Sequence, residues 1–105
     1  MKEKFEYSIF IPTLDNDSHP FSESQLTGLK KLLIEKFGGL TDTKHKNKGV
    51  WKIGGIKYKD EIVIWKVLAK ASSRSDYVMT KLKRKFEKSL KQKEILIVKA
   101  SVQAL

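Results

Sequence analysis

Ile62-Val63-Ile64-Trp65-Lys66-Val67-Leu68 decides how this chain folds. Six of the seven residues are apolar, and most are β-branched or aromatic. The run is too short to span a membrane, and its composition favours a strand over a helix. Both alternating sets of side chains are apolar, which predicts a strand at the centre of a sheet with cover on both faces.

The neighbouring segments follow from it. Gly54-Gly55 is suited to a tight turn, with Val50-Trp51-Lys52-Ile53 before it and Ile56-Lys57-Tyr58 after it. Further upstream, Lys44-His45-Lys46-Asn47-Lys48-Gly49 reads as a basic loop that interrupts an extended piece beginning at Leu40. Near the N-terminus, Phe5, Tyr7, Ile9 and Ile11 alternate on one strand face with Phe10 on the other, until Pro12 ends the ladder. Ile95-Leu96-Ile97-Val98 reads as the last strand, and residues 100–105 as a tail or its extension.

Two helices separate these strands. Ser22 with Gln25 fits a capping box, Leu26, Leu29, Leu33 and Phe37 follow at helical spacing, and Gly38-Gly39 supplies the stop. Ser73 is the expected cap of the second helix, with Asp76 at the favoured third position. Met79, Leu82, Phe86 and Leu90 form its core stripe, while Lys81, Arg84, Lys85 and Lys88 fall opposite with Tyr77 among them. The order β-α-β-β-α-β predicts an α+β, ferredoxin-like single domain over residues 1–105: a four-stranded antiparallel sheet with both helices on one face. The helix-free face should then be polar, yet Phe10 and the strands at 62–68 and 95–98 are apolar there too. A second subunit, a ligand or the C-terminal tail must cover it. A homodimer contact through Phe10, Trp65, Leu96 and Val98 is the simplest arrangement.

Composition narrows the function classes. With 105 residues the chain is long enough to bury a core, and without cysteine it forms neither disulfides nor thiolate metal sites. The charged N-terminus is no signal peptide and no stretch reaches membrane-spanning length, so a cytoplasmic protein without membrane attachment is expected. The net charge is +10 and it is unevenly distributed. Residues 1–43 hold 5 Lys against 7 acidic residues, a net −2, whereas residues 44–105 hold 17 basic against 5 acidic, a net +12. A basic half of this size attracts nucleic acid or an acidic protein partner. The candidates are Lys44, Lys46, Lys48, Lys81, Arg84, Lys85 and Lys88, with Trp51 as a stacking residue. Only two of the 22 basic residues are Arg, which weighs against base-specific reading.

No catalytic constellation emerges, and no cofactor or metal is expected. His19 and His45 stand in separate segments without metal-ligand spacing. Asp15-Asn16-Asp17 lacks the Gly and distal Glu of a calcium loop. Asp60-Glu61 are adjacent on an extended chain and point apart. The glycine pairs lack the spacing and the following Lys-Ser/Thr of phosphate loops.

Two resemblances accompany this reading. Ile9-Phe10-Ile11-Pro12-Thr13-Leu14 is similar to the first-strand motif of RNA-recognition-motif domains, which implies Phe10 as a stacking aromatic. The third-strand counterpart, Lys59-Asp60-Glu61-Ile62-Val63-Ile64-Trp65, departs from that pattern. Over roughly residues 7–98, Phe37-Gly38-Gly39-Leu40-Thr41, Gly49-Val50-Trp51, Phe86 and Gln92-Lys93-Glu94-Ile95-Leu96-Ile97-Val98 resemble a family of small uncharacterised bacterial proteins. That resemblance implies a ferredoxin-like fold and transfers no catalytic residue. The leading expectation is a non-enzymatic binding or assembly module. The alternatives are nucleic-acid binding and a dimeric α/β-barrel enzyme with a closed pocket holding His45, Tyr58 or Asp60.

Overall fold

The computed structural model describes residues 2–53 and 56–105, with the side chains of 51–53 and 56–60 outside the description. The elements run β1 (Lys2–Pro12), α1 (Glu23–Phe37), β2 (Thr41–Ile53), β3 (Ile56–Lys70), α2 (Ser73–Ser89) and β4 (Ile97–Ala104). They form one four-stranded antiparallel sheet in the order β2-β3-β1-β4, with both helices on one face. This is the ferredoxin-like arrangement. No helix among the described residues is long and apolar enough to cross a membrane.

The strand at 62–68 lies inside β3, between β1 and β2. Its pairing to β1 sets Ile9 opposite Trp65 and Phe10 opposite Ile64. One alternating set, Trp65, Val67 and Ala69, joins Tyr7, Ile9 and Ile11 beneath the helices. Leu29 and Leu33 from α1, and Met79, Leu82 and Phe86 from α2, close that core. Burying side chains of this size stabilises by about 1.5–3 kcal/mol each, so this layer dominates stability.

The helix ends follow local chemistry with adjustments. The Ser22 hydroxyl accepts from the Gln25 N–H, but the Gln25 amide donates across to the Ser89 carbonyl at 2.9 Å instead of reaching back. Gly38 ends α1 with φ 90°, a left-handed conformation that glycine adopts freely. The cap of α2 is Ser72, one residue before the expected Ser73, and it accepts from the Ser75 N–H. Asp76 is thereby freed from capping. It accepts from the Tyr7 hydroxyl at 2.6 Å and the Lys99 ammonium at 2.9 Å, tying α2 to β1 and β4.

Two strand expectations are corrected. Residues 44–49 do not interrupt β2: the strand is continuous over Thr41–Ile53, with a bulge between Asp42 and Lys46 and Lys44 at φ 59°. Lys46 to Gly49 pair with Val63 to Asp60, so ladder hydrogen bonds override the polar composition there, while residues 43–45 form the bulge. The last strand starts at Ile97 instead of Ile95, and of the two readings of residues 100–105 the strand extension holds, to Ala104. The C-terminal residues therefore pair with β1, to Lys2 opposite Ala104, and are not folded over the open face. β1 stops at Pro12 opposite Ile62, whereas β2 and β3 remain paired beyond that point. Their far end projects past the sheet as a two-stranded arm.

Candidate functional site

The helix-free face of the sheet carries the outward side chains of β1, β3 and the chain leading into β4. Phe10, Ile62 and Ile64 are half-buried there, while Leu68 is 47%, Leu96 39% and Val98 46% exposed. Strand register brings them together: Phe10 faces Ile64, Pro12 faces Ile62, and the Phe10 N–H donates to the Leu96 carbonyl at 3.0 Å. Ser8 lies beside both Val98 and Lys66. The face is not wholly apolar, because Lys66 stands on it, 3.8 Å from Glu6.

Between the arm and the approach to β4 the face deepens into a groove of about 270 Å³. Phe10, Pro12, Ile62, Ile64 and Leu96 make its apolar floor, and Asn47, Lys48, Gln92 and Glu94 are its polar lining. Few polar groups around an apolar floor suit a flat or aliphatic group over a highly charged one.

The wall at 92–96 is held by α2. The Lys83 ammonium meets Glu87 at 2.6 Å and Glu94 at 2.5 Å, and the Glu87 carboxylate also accepts from the buried Ile95 N–H at 2.8 Å. Burial alone would lower the Lys83 ammonium, but the two carboxylates outweigh it and raise its pKa above the ordinary value. At the other edge, burial would raise the Asp42 carboxyl. The Lys30 ammonium at 2.6 Å and the Lys44 N–H outweigh burial and hold the carboxyl below its usual range. In the layer between, burial and then the Asp76 carboxylate push the Tyr7 phenol up. The Tyr7 hydrogen bond, then that of Lys99, holds the Asp76 carboxyl down. These three groups form a closed structural network.

Of the expected interface residues, Phe10, Leu96 and Val98 share the open face and Trp65 does not. Trp65 is 1% exposed, on the helix-covered side, with the Lys30 ammonium 5.3 Å from its ring centre. Strand alternation opposite Ile9 puts it there, so it belongs to the core and offers nothing to a partner. Its indole N–H has no hydrogen-bond partner among the described residues.

The basic candidates divide into two surfaces. Lys44, Lys46 and Lys48 are exposed on β2, the sheet edge that α1 adjoins through Lys30 and Asp42. Lys81, Arg84, Lys85 and Lys88 are exposed on α2, which is tied to β1 and β4 at the other edge. They do not form one patch. Trp51, Tyr58 and Asp60 lie outside the described side chains, as does the Gly54-Gly55 turn. His45 is exposed and does not line the groove. Asp15, Asp17 and His19 gather in the first loop, with Asp15 Oδ1 accepting from the Asp17 and His19 N–H groups at 2.9 Å each. This self-bonded turn accounts for the cluster without a ligand. Pro12, Asn47, Gln92 and Glu94 are not site candidates on sequence grounds. They converge only through the β2–β3 register and the course of the chain from α2 to β4, and no local pattern signals that.

No family model matches the chain, and no curated protein matches it significantly. Among solved structures, it is similar to a divalent cation tolerance protein (Cut A1) from Thermus thermophilus at 14% identity and TM-score 0.63. That match covers 96% of this chain and 85% of the other. It is also similar to a phage SAM lyase in complex with S-methyl-5'-thioadenosine at 13% identity and TM-score 0.65, covering 99% of this chain and 92% of the other. Likeness at these identities establishes the shared fold.

Proposed function

We propose that this chain is a non-enzymatic assembly module that pairs with a second copy of itself, sheet against sheet, across the helix-free face. The observation that carries the reading is the set of outward apolar side chains, Phe10, Ile62, Ile64, Leu68, Leu96 and Val98, which the helices leave uncovered. Contiguous exposed patches of this kind mark interaction surfaces. Two further features favour a second copy as the occupant. The C-terminal strand is engaged with β1, so the chain does not cover the face itself. A two-stranded ribbon is marginal alone in water, and an apposed sheet gives the projecting arm support. The same pairing roofs the groove.

Light scattering at tens of micromolar protein tests this. The expected mass is twice the 12.1 kDa of the chain. Leu96→Lys with Val98→Lys, both at exposed positions, is expected to give a single-chain mass with unchanged circular dichroism. A monomeric wild type, or a doubly substituted chain that still pairs, overturns the proposal.

A further inference from the structure

The solvent side of α2 is organised differently from an ordinary solvated helix. Arg74, Tyr77, Lys81, Arg84 and Lys88 succeed one another at spacings of three and four residues, so they form one stripe along the helix. All five are exposed, and Lys85 stands beside the stripe. At about 1.5 Å per residue, successive members are about 4.5–6 Å apart along the axis. Tyr77 lies between two cations, with the Arg74 guanidinium 5.4 Å and the Lys81 ammonium 5.2 Å from its ring centre.

The acidic residues of this helix are turned elsewhere. Asp76 is engaged with Tyr7 and Lys99, and Glu87 with Lys83 and the Ile95 N–H. Among the described residues no carboxylate pairs with Arg74, Lys81, Arg84, Lys85 or Lys88. The pairs Lys81–Arg84, Lys81–Lys85, Arg84–Lys88 and Lys85–Lys88 are like charges three or four residues apart, and such pairs destabilise a helix. A row of external anions at similar spacing relieves that repulsion. The apolar residues Met79, Leu82 and Phe86 are all buried, so this helix has no exposed apolar side to insert into a bilayer.

We propose that this stripe is a docking surface for the phosphate backbone of nucleic acid, bound without regard to sequence. The surface combines Arg74 and Arg84, the two arginines of the chain, with Lys81, Lys85 and Lys88, and contacts from such cations to phosphate carry no sequence information. The surface lies on the helix side of the sheet, so it is independent of the self-association proposed above and stays open in a sheet-to-sheet pair.

Fluorescence anisotropy of a labelled 20-base-pair DNA duplex and a 20-nucleotide single-stranded RNA, titrated with the full chain between 25 and 200 mM salt, tests it. Five phosphate contacts predict a log–log salt slope of about −4.5 on the duplex. Lys81→Gln with Arg84→Gln and Lys88→Gln should reduce the slope to about −2 and weaken binding at least tenfold at 100 mM salt. A control with the same net charge, Lys31→Gln with Lys36→Gln and Lys70→Gln, alters exposed lysines away from the stripe and should leave the slope within about one unit of wild type. The proposal is overturned if neither oligonucleotide is retained at 25 mM salt. It is equally overturned if the two triple variants weaken alike, which would mean net charge alone, or if anionic phosphatidylserine vesicles are bound while both oligonucleotides are not.

Discussion

Glu87→Gln should be among the most damaging isosteric changes on the surface of this protein. The Glu87 carboxylate links three elements: it takes Lys83 from its own helix at 2.6 Å and the Ile95 N–H at 2.8 Å, and Lys83 reaches on to Glu94. The Glu87 side chain is only 17% exposed and Lys83 25%, whereas Glu94 is 42% exposed. Hydrogen bonds to a charged group contribute about 1.5–3 kcal/mol each and neutral ones about 1. Glutamine keeps the shape, and Lys83 keeps Glu94, so the net loss is about 2 kcal/mol. Glu94→Gln removes a more exposed partner and should cost less than about 1 kcal/mol. With a urea m-value of about 1–1.5 kcal/mol/M for a chain of this size, Glu87→Gln lowers the unfolding midpoint by about 1.5 M and Glu94→Gln by about 0.5 M. Hydrogen exchange at the Ile95 amide should accelerate in Glu87→Gln and not in Glu94→Gln, because only the former loosens the wall of the groove. Equal midpoint shifts for the two variants, or a Glu87→Gln shift under about 0.5 M, would refute the ranking of buried over exposed partners.

Two further perturbations separate backbone from charge effects. Gly28 sits in the interior of α1 with open space where a Cβ would go, so Gly28→Ala should stabilise by about 0.5–1 kcal/mol; Gly38 has equal space but φ 90°, so Gly38→Ala should destabilise by about 1 kcal/mol, both read from thermal midpoints. The Asp42 carboxyl is held below its usual pKa when folded, so its contribution is complete above the unfolded value near pH 4 and is lost as pH falls through the lower folded value. Asp42→Asn should therefore cost about 1 kcal/mol at pH 7, and its melting curve should converge on that of wild type as the pH drops below about 4.

Much of the fold was legible because it is written in local patterns. The apolar run at 62–68 points to an inner strand, since a strand with both faces covered is apolar on both alternating sets; the equally apolar 95–98 nevertheless leads into the edge strand β4. The spacing of Met79, Leu82, Phe86 and Leu90 identified the inner face of α2, and by subtraction its cationic outer face. Ser22 and Gly38 marked the ends of α1 through the conformations they favour. The failures share a different cause. The composition of Lys44 to Gly49 is that of a loop, and only β3 as a pairing partner makes Lys46 to Gly49 strand, with residues 43–45 left as a bulge. Ser72 and Ser73 satisfy the local capping rule equally, and only the structure selects Ser72.

What the amino-acid order alone settled was the sequence of elements, the central strand at 62–68 and the segregation of charge, because each is a periodicity or a count along the chain. What only the assembled sheet decided was parity and convergence. The Ile9–Trp65 register sends Trp65 into the core and leaves Phe10, Ile64 and Leu96 outside, and the Lys83–Glu87–Glu94 network sets the wall that turns those residues into a groove. A strand reverses every side chain with a one-residue shift, so a pattern that is apolar on both sets cannot say which set faces the helices until pairing fixes it.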